Sequence, residues 1–209
     1  MALDGTYDGL KASVADWLNR ADLTAQIPDF IALAEARFNR DLRLNSMLQR
    51  DTTVATSDYV ALPLDWLEHV SIAVVNDGTV YKPLTYVSNE EFNRLRLQNL
   101  TGTFRYYTIQ DTNIALLPEM SAGSVTLEIF YYGKIPALSV SNASNWLLAR
   151  APDLYLYSSL MAADVFLQND DRLQIWVAAA QAAMESLRLE SERAKRSQGL
   201  LKTPTRTFG

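Results

Sequence analysis

Apolar positions recur at helical spacing towards both ends of the chain and at strand spacing between them. Near the start, Tyr7, Leu10, Val14, Trp17 and Leu18 share one stripe, as a period of 3.6 requires. Thr6 stands where a cap accepts from the first turn, and Asp8 follows where the helix dipole favours an anion. Asn19 to Gln26 reads as a turn. Pro28 then suits a first helical position. Ile31, Ala34, Phe38 and Leu42 line a second stripe, with Arg37, Arg40 and Arg43 elsewhere around that helix. The pattern predicts a helical hairpin over residues 1–50.

After Arg50 the period falls to two. Strand candidates are Thr52–Thr56, Tyr59–Leu62, Val70–Val75, Thr79–Val87, Thr103–Ile109, Asn113–Leu117 and Ser124–Tyr132. Asn76-Asp77-Gly78 and Gln110-Asp111-Thr112 supply hairpin turns. Ser88 with Glu91 three residues on makes a capping box, opening a short helix with Phe92 and Leu95 on its apolar side. Gly133 and Pro136 end the last strand. Residues 51–143 therefore read as a β-rich insertion with one short helix.

Helical spacing returns over residues 144–198. Pro152 opens a helix with Leu156, Ser159, Leu160 and Ala163 facing inward, running to about Gln168. Asn169-Asp170-Asp171 caps the next, whose stripe is Leu173, Val177, Ala180, Met184 and Leu187. A run to Ser197 spans ~40 Å, more than a small core covers, so part of it is expected to pack on another chain. Gly199 is a stop signal, and residues 199–209 have no period and read as an extended docking tail. The expected fold class is α+β. A four-helix bundle is built from the N- and C-terminal hairpins, since neither can bury its stripe alone, and it carries the β-rich insertion. Trp17 and Trp176 are expected in its core.

With hydrophobic residues at 48% and charged residues at 21%, wholesale disorder is excluded. The absence of cysteine removes disulfides, thiolate metal sites and cysteine nucleophiles together. The net charge of −5 is unevenly spread. The first hundred residues hold nine basic and fourteen acidic groups, whereas residues 185–209 hold six basic against three acidic. An acidic body with a basic end lacks the footprint of a sequence-reading DNA-binding domain and suits docking instead. No stretch approaches the ~18 apolar residues of a membrane span. The start, MALDGTYDGLKAS, carries acids where a signal peptide has a basic, then apolar, run. A soluble protein, not exported by that route and without a membrane partner, is expected.

Candidate chemistry is sparse. The one histidine, His69, reads as a partly exposed strand-edge residue, because a zinc site without cysteine would need unusual carboxylate ligands. No Gly-x-Ser-x-Gly elbow surrounds a serine. The pairs Glu90/Glu91 and Asp170/Asp171 stand where helix starts favour acids. No glycine loop able to cradle phosphate occurs, and no catalytic, metal or cofactor residue is assigned. Tyr106-Tyr107 and Phe130-Tyr131-Tyr132 place rings on both faces of their strands, so one set must face away from the core. With fourteen of nineteen basic residues arginine, a bias that suits interfaces, possible subunit-interface residues are Tyr107, Phe130, Tyr132, Arg188 and Arg193.

Three segments carry a family resemblance. The opening TYDGLKASVADWLNRADLTAQIPDFIALAEARFNRDLR, the stretch YVALPLDWLEHV and the run NWLLARAPDLYLYSSLMAADVFLQNDDRLQIWVAAAQAAMESL resemble, in order, head-to-tail adaptor (connector) proteins of tailed bacteriophages of the short-tailed type. The resemblance implies a structural protein with no catalysis. It implies a ring beneath the portal, typically a homo-dodecamer, that joins the DNA-filled head to tail or nozzle proteins. It also implies a virion location after assembly in the host cytoplasm, with genomic DNA passing through unread. By position, Leu200, Leu201, Lys202, Pro204, Arg206 and Phe208 are the expected portal-docking residues. A virion-associated peptidoglycan hydrolase and a glycan-binding tail module are the rival readings.

Overall fold

The computed structural model describes residues 4–76, 80–119, 123–168 and 170–197. Six α-helices form among them: α1 (Tyr7–Leu18), α2 (Ile27–Asp41), α3 (Asn89–Arg96), α4 (Trp146–Arg150), α5 (Pro152–Leu167) and α6 (Asp170–Ser197). Eight strands accompany them: β1 (Leu48–Ala55), β2 (Tyr59–Ala61), β3 (Trp66–Asn76), β4 (Val80–Pro83), β5 (Thr85–Tyr86), β6 (Tyr106–Gln110), β7 (Asn113–Leu117) and β8 (Val125–Gly133). Two compact units result, a helical one of residues 1–46 with 135–209 and a β-rich one of residues 47–134. Residues 198–209, including Gly199 and the expected docking tail, lie outside the described residues, as do Asp77, Gly78 and Asn169.

In the helical unit, Thr6 caps α1 by accepting from the Gly9 amide at 3.0 Å. Asn19, with φ of 52°, ends the helix in the left-handed region, which Asn tolerates better than most side chains. Pro28 lies in the first turn of α2, where its missing N–H costs nothing. α5 is the hub: α1, α2 and α6 each pack on it. Leu154, Tyr155, Leu156, Ser158, Ser159, Leu160, Ala163 and Asp164 are all buried.

This arrangement corrects the expected four-helix bundle. The fold is α+β, but three helices surround a central fourth, α4 adds a short turn, and two four-stranded sheets form a separate core. The reason lies in α5, whose apolar and small residues occupy nearly every face, so it has no single stripe and accepts neighbours from several sides.

α6 spans ~42 Å at 1.5 Å per residue. Its stripe Ala180, Met184, Leu187 and Ser191 is buried, and its far half docks on its own chain. Ser191 Oγ accepts from the Asn45 amide at 2.8 Å, Arg150 pairs with Glu190 at 2.6 Å, and Arg188 donates to the Asp41 carbonyl at 2.9 Å. Much of the length expected to need another chain is thus covered within the helical unit.

Between β8 and α4 the chain runs without regular structure, and polar side chains hold it. Glu35 Oε1 accepts from the Leu138 amide at 2.8 Å. Asn145 Nδ2 donates to the Pro136 carbonyl and to the Tyr155 hydroxyl, both at 2.7 Å. Asn145 Oδ1 also caps α4 by accepting from the Leu148 amide at 2.8 Å.

The β-rich unit is two packed sheets, of order β1-β8-β3-β4 and β2-β7-β6-β5. Period two explains the packing: Leu127, Ile129 and Tyr131 of β8 and Ile72 and Val74 of β3 join Tyr107, Ile114 and Leu116 in one core. The opposite face of the second sheet is covered by α3, whose Phe92 packs on Ala115 and Leu117. Ser88 caps α3 through the Glu91 amide at 3.2 Å. β5 and β6 are parallel, as the crossover through α3 allows.

Candidate functional site

At one end of the helical unit, the last turn of α1, the end of α5 and the start of α6 enclose a cleft of about 280 Å³. Its lining is Trp17, Leu18, Arg20, Asp164, Leu167, Arg172 and Trp176. Trp17 and Trp176 meet edge to face with ring centroids 5.5 Å apart, and Tyr157 stacks on Trp176 at 6.1 Å and 15°. Trp17 is 46% exposed, which corrects its expected place in the core. The last turn of α1 runs past the buried residues Leu10, Ser13 and Val14, so the ring lines the cleft instead.

Asp164 lies in this lining although it is only 2% exposed. Its Oδ2 and the Trp176 indole Nε1 are buried without a hydrogen-bond partner of ordinary geometry. Burial raises the Asp164 carboxyl above the ordinary aspartate range, against the opposing pull of the indole N–H and Arg172. At the rim, both oxygens of Asp22 engage Arg20, at 2.7 and 2.6 Å. That pairing holds the Asp22 carboxyl down at about 2. Sequence reading passed over Asp164, although a lone acid four residues after buried Leu160 is a polar residue on an apolar stripe.

The five possible interface residues separate. Tyr107 is buried at 2% exposure in the core between the sheets, where burial lifts its hydroxyl to about 12, so it presents no surface. Phe130 and Tyr132 are half-buried on the opposite face of β8. Beside them in register stand Arg50 and Leu48 of β1. Glu128, on that same face and 8% exposed, is held by the Arg50 guanidinium, whose Nε lies 2.6 Å away. Arg188 is occupied by Asp41 and by Glu185 at 3.8 Å, and Arg193 is exposed near the end of α6. Leu200, Leu201, Lys202, Pro204, Arg206 and Phe208 lie outside the described residues.

His69 sits within β3 at a register irregularity, stacked on Tyr86 at 4.5 Å and edge-on to Tyr107 at 5.9 Å. It is therefore part of an aromatic cluster. Among the described residues no group of three or more histidines and carboxylates is placed to hold a metal ion. No helix among them is long and apolar enough to cross a membrane.

No curated protein matches the sequence. The family model described as SU10 adaptor protein matches residues 5–206, nearly the whole chain and all three segments that resemble phage head-to-tail adaptors. The chain belongs to the SU10 adaptor protein family.

Proposed function

We propose that this phage adaptor is a ring subunit at the head–tail junction, docked on the portal at one side and on tail components at the other. The single observation that carries the reading is the family match over residues 5–206. Its role is structural: many copies contribute weak contacts that act together through high effective concentration. The DNA-filled head connects to the tail through the lumen of this ring, and an acidic body offers the passing genome few phosphate contacts. Leu200, Leu201, Lys202, Pro204, Arg206 and Phe208 serve as the portal anchor, with Pro204 lowering the entropy cost of ordering the segment. Phe130, Tyr132 and Arg193 belong to contacts between subunits.

Deleting residues 199–209 tests the anchor. The truncated protein is expected to melt like the full chain while losing attachment to portal-bearing heads. Wild-type binding by the truncated protein moves the anchor elsewhere. Electron microscopy of the assembled particle, with this chain located in the density, tests the ring. A clear zone in a peptidoglycan zymogram would overturn the structural reading.

A further inference from the structure

Among the described residues the two sheets have four edge strands, β1 and β4 on the first and β2 and β5 on the second. An edge turns N–H and C=O groups outward and invites another strand, so folds keep edges short, bulged or broken by proline. Three of these edges are handled in that way. β2 has three residues, β5 has two, and β4 has four and ends at Pro83.

β1 is the exception. Its eight residues pair one for one with β8, from Leu48 opposite Tyr132 to Ala55 opposite Val125, without a register shift. The sequence LQRDTTVA holds no proline, glycine or lysine, and Leu48 to Thr52 and Val54 are exposed. Alternate residues of a strand turn their backbone groups to each side, so about four residues of β1 turn theirs away from β8. Among the described residues no other segment pairs with that side.

The flanking side chains give an added strand its charge. On one face Arg50 is held by Glu128. On the other, Asp51 accepts from the neighbouring Thr52 amide at 2.8 Å and meets no cation among the described residues. The edge thus carries one uncompensated negative charge, and a Lys or Arg opposite Asp51 on the incoming strand is favoured.

The sheets of a second copy offer no matching edge. β1 against β1 is a two-fold contact, which closes at two chains and cannot run round a ring. The other edges are too short or end in proline. We propose that β1 is a docking edge for an extended, basic segment of a different protein of the particle, which adds to the first sheet as a further strand. The choice of partner rests on the proposed ring.

The test is hydrogen exchange read by mass spectrometry, on the purified chain and on complete particles. In peptides spanning residues 47–56, about four amides should exchange fast in the purified chain and at least a hundredfold more slowly in the particle. p-Benzoylphenylalanine in place of Val54 should photo-crosslink, in the particle, to a Lys- or Arg-bearing segment of a different protein. Neighbouring amides face opposite sides, so one of Thr52→Pro and Thr53→Pro removes an outward N–H and leaves the β1–β8 ladder whole. Whichever melts closer to wild type should lose at least tenfold of that crosslink, and Asp51→Lys at least fivefold.

Fast β1 exchange in particles that contain the chain would overturn this inference and leave the ring standing. A chain absent from the particle would overturn the ring reading, and this inference with it. A crosslink to a second copy, or one undiminished in the folded proline variant or in Asp51→Lys, would also overturn the proposal.

Discussion

The Tyr155 hydroxyl donates to Glu35 Oε1 at 3.1 Å, joining the hub helix to α2 in the interior of the helical unit. Burial raises the Glu35 carboxyl above the ordinary glutamate range, outweighing the hydrogen bonds from Leu138 and Tyr155 that favour its charge. Burial likewise pushes the Tyr155 hydroxyl up. Both groups thus hold their protons more tightly in the folded chain than in the unfolded one.

A pH dependence follows from Glu35. Below the ordinary glutamate range both folded and unfolded chains are protonated there, and the site contributes its full stability. As pH rises through the raised folded value, the unfolded chain has already released its proton, so that contribution is lost. Glu35→Gln keeps an acceptor for Leu138 and Tyr155 but cannot ionise. Its melting temperature relative to wild type is expected to rise from pH 4 to pH 8. A difference that stays flat across those melts would refute the assignment.

Asn145→Ala should be costly for its size. It removes the cap of α4 and the donor shared by Pro136 and Tyr155, a combined loss of ~2–4 kcal/mol. Urea unfolding is expected to show a lowered midpoint with an unchanged slope.

Two aromatic truncations separate core from surface. Phe38 is fully buried and meets Tyr155 edge to face at 5.0 Å, so Phe38→Ala should cost ~3–5 kcal/mol. Trp17, nearly half exposed, should cost ~1 kcal/mol on truncation. Equal losses in chemical denaturation would return Trp17 to the core.

On the first sheet, Arg50→Met strands the carboxylate of Glu128, and a loss of ~1–3 kcal/mol is expected. The double change Arg50→Met with Glu128→Met should recover most of that loss, because an apolar pair leaves no charge behind. A double variant as unstable as the single would show that Arg50 acts through packing.

Helix starts were legible because each has a local chemical signature. Thr6, Pro28, Ser88 and Pro152 stand within a residue of where helices begin. The strands were legible by alternation, but their assignment to sheets was not. Thr79–Val87 reads as one strand, yet β4 ends at Pro83, whose nitrogen cannot donate to a ladder, and β5 belongs to the other sheet. The hub role of α5 was hidden because periodicity identifies one face, and this helix buries several. The cleft was hidden for a related reason. Trp17 and Trp176 both read as core by type, and only the meeting of the end of α1 with the start of α6 decides that both line an opening.

Leu48 at the start of β1 pairs with Tyr132 near the end of β8, so the β-rich unit begins and finishes on neighbouring strands, ~5 Å apart. Entry and exit of the chain therefore share one edge of the first sheet, so a loop at the far end of the β-rich unit can be lengthened or trimmed without separating the two ends of the unit.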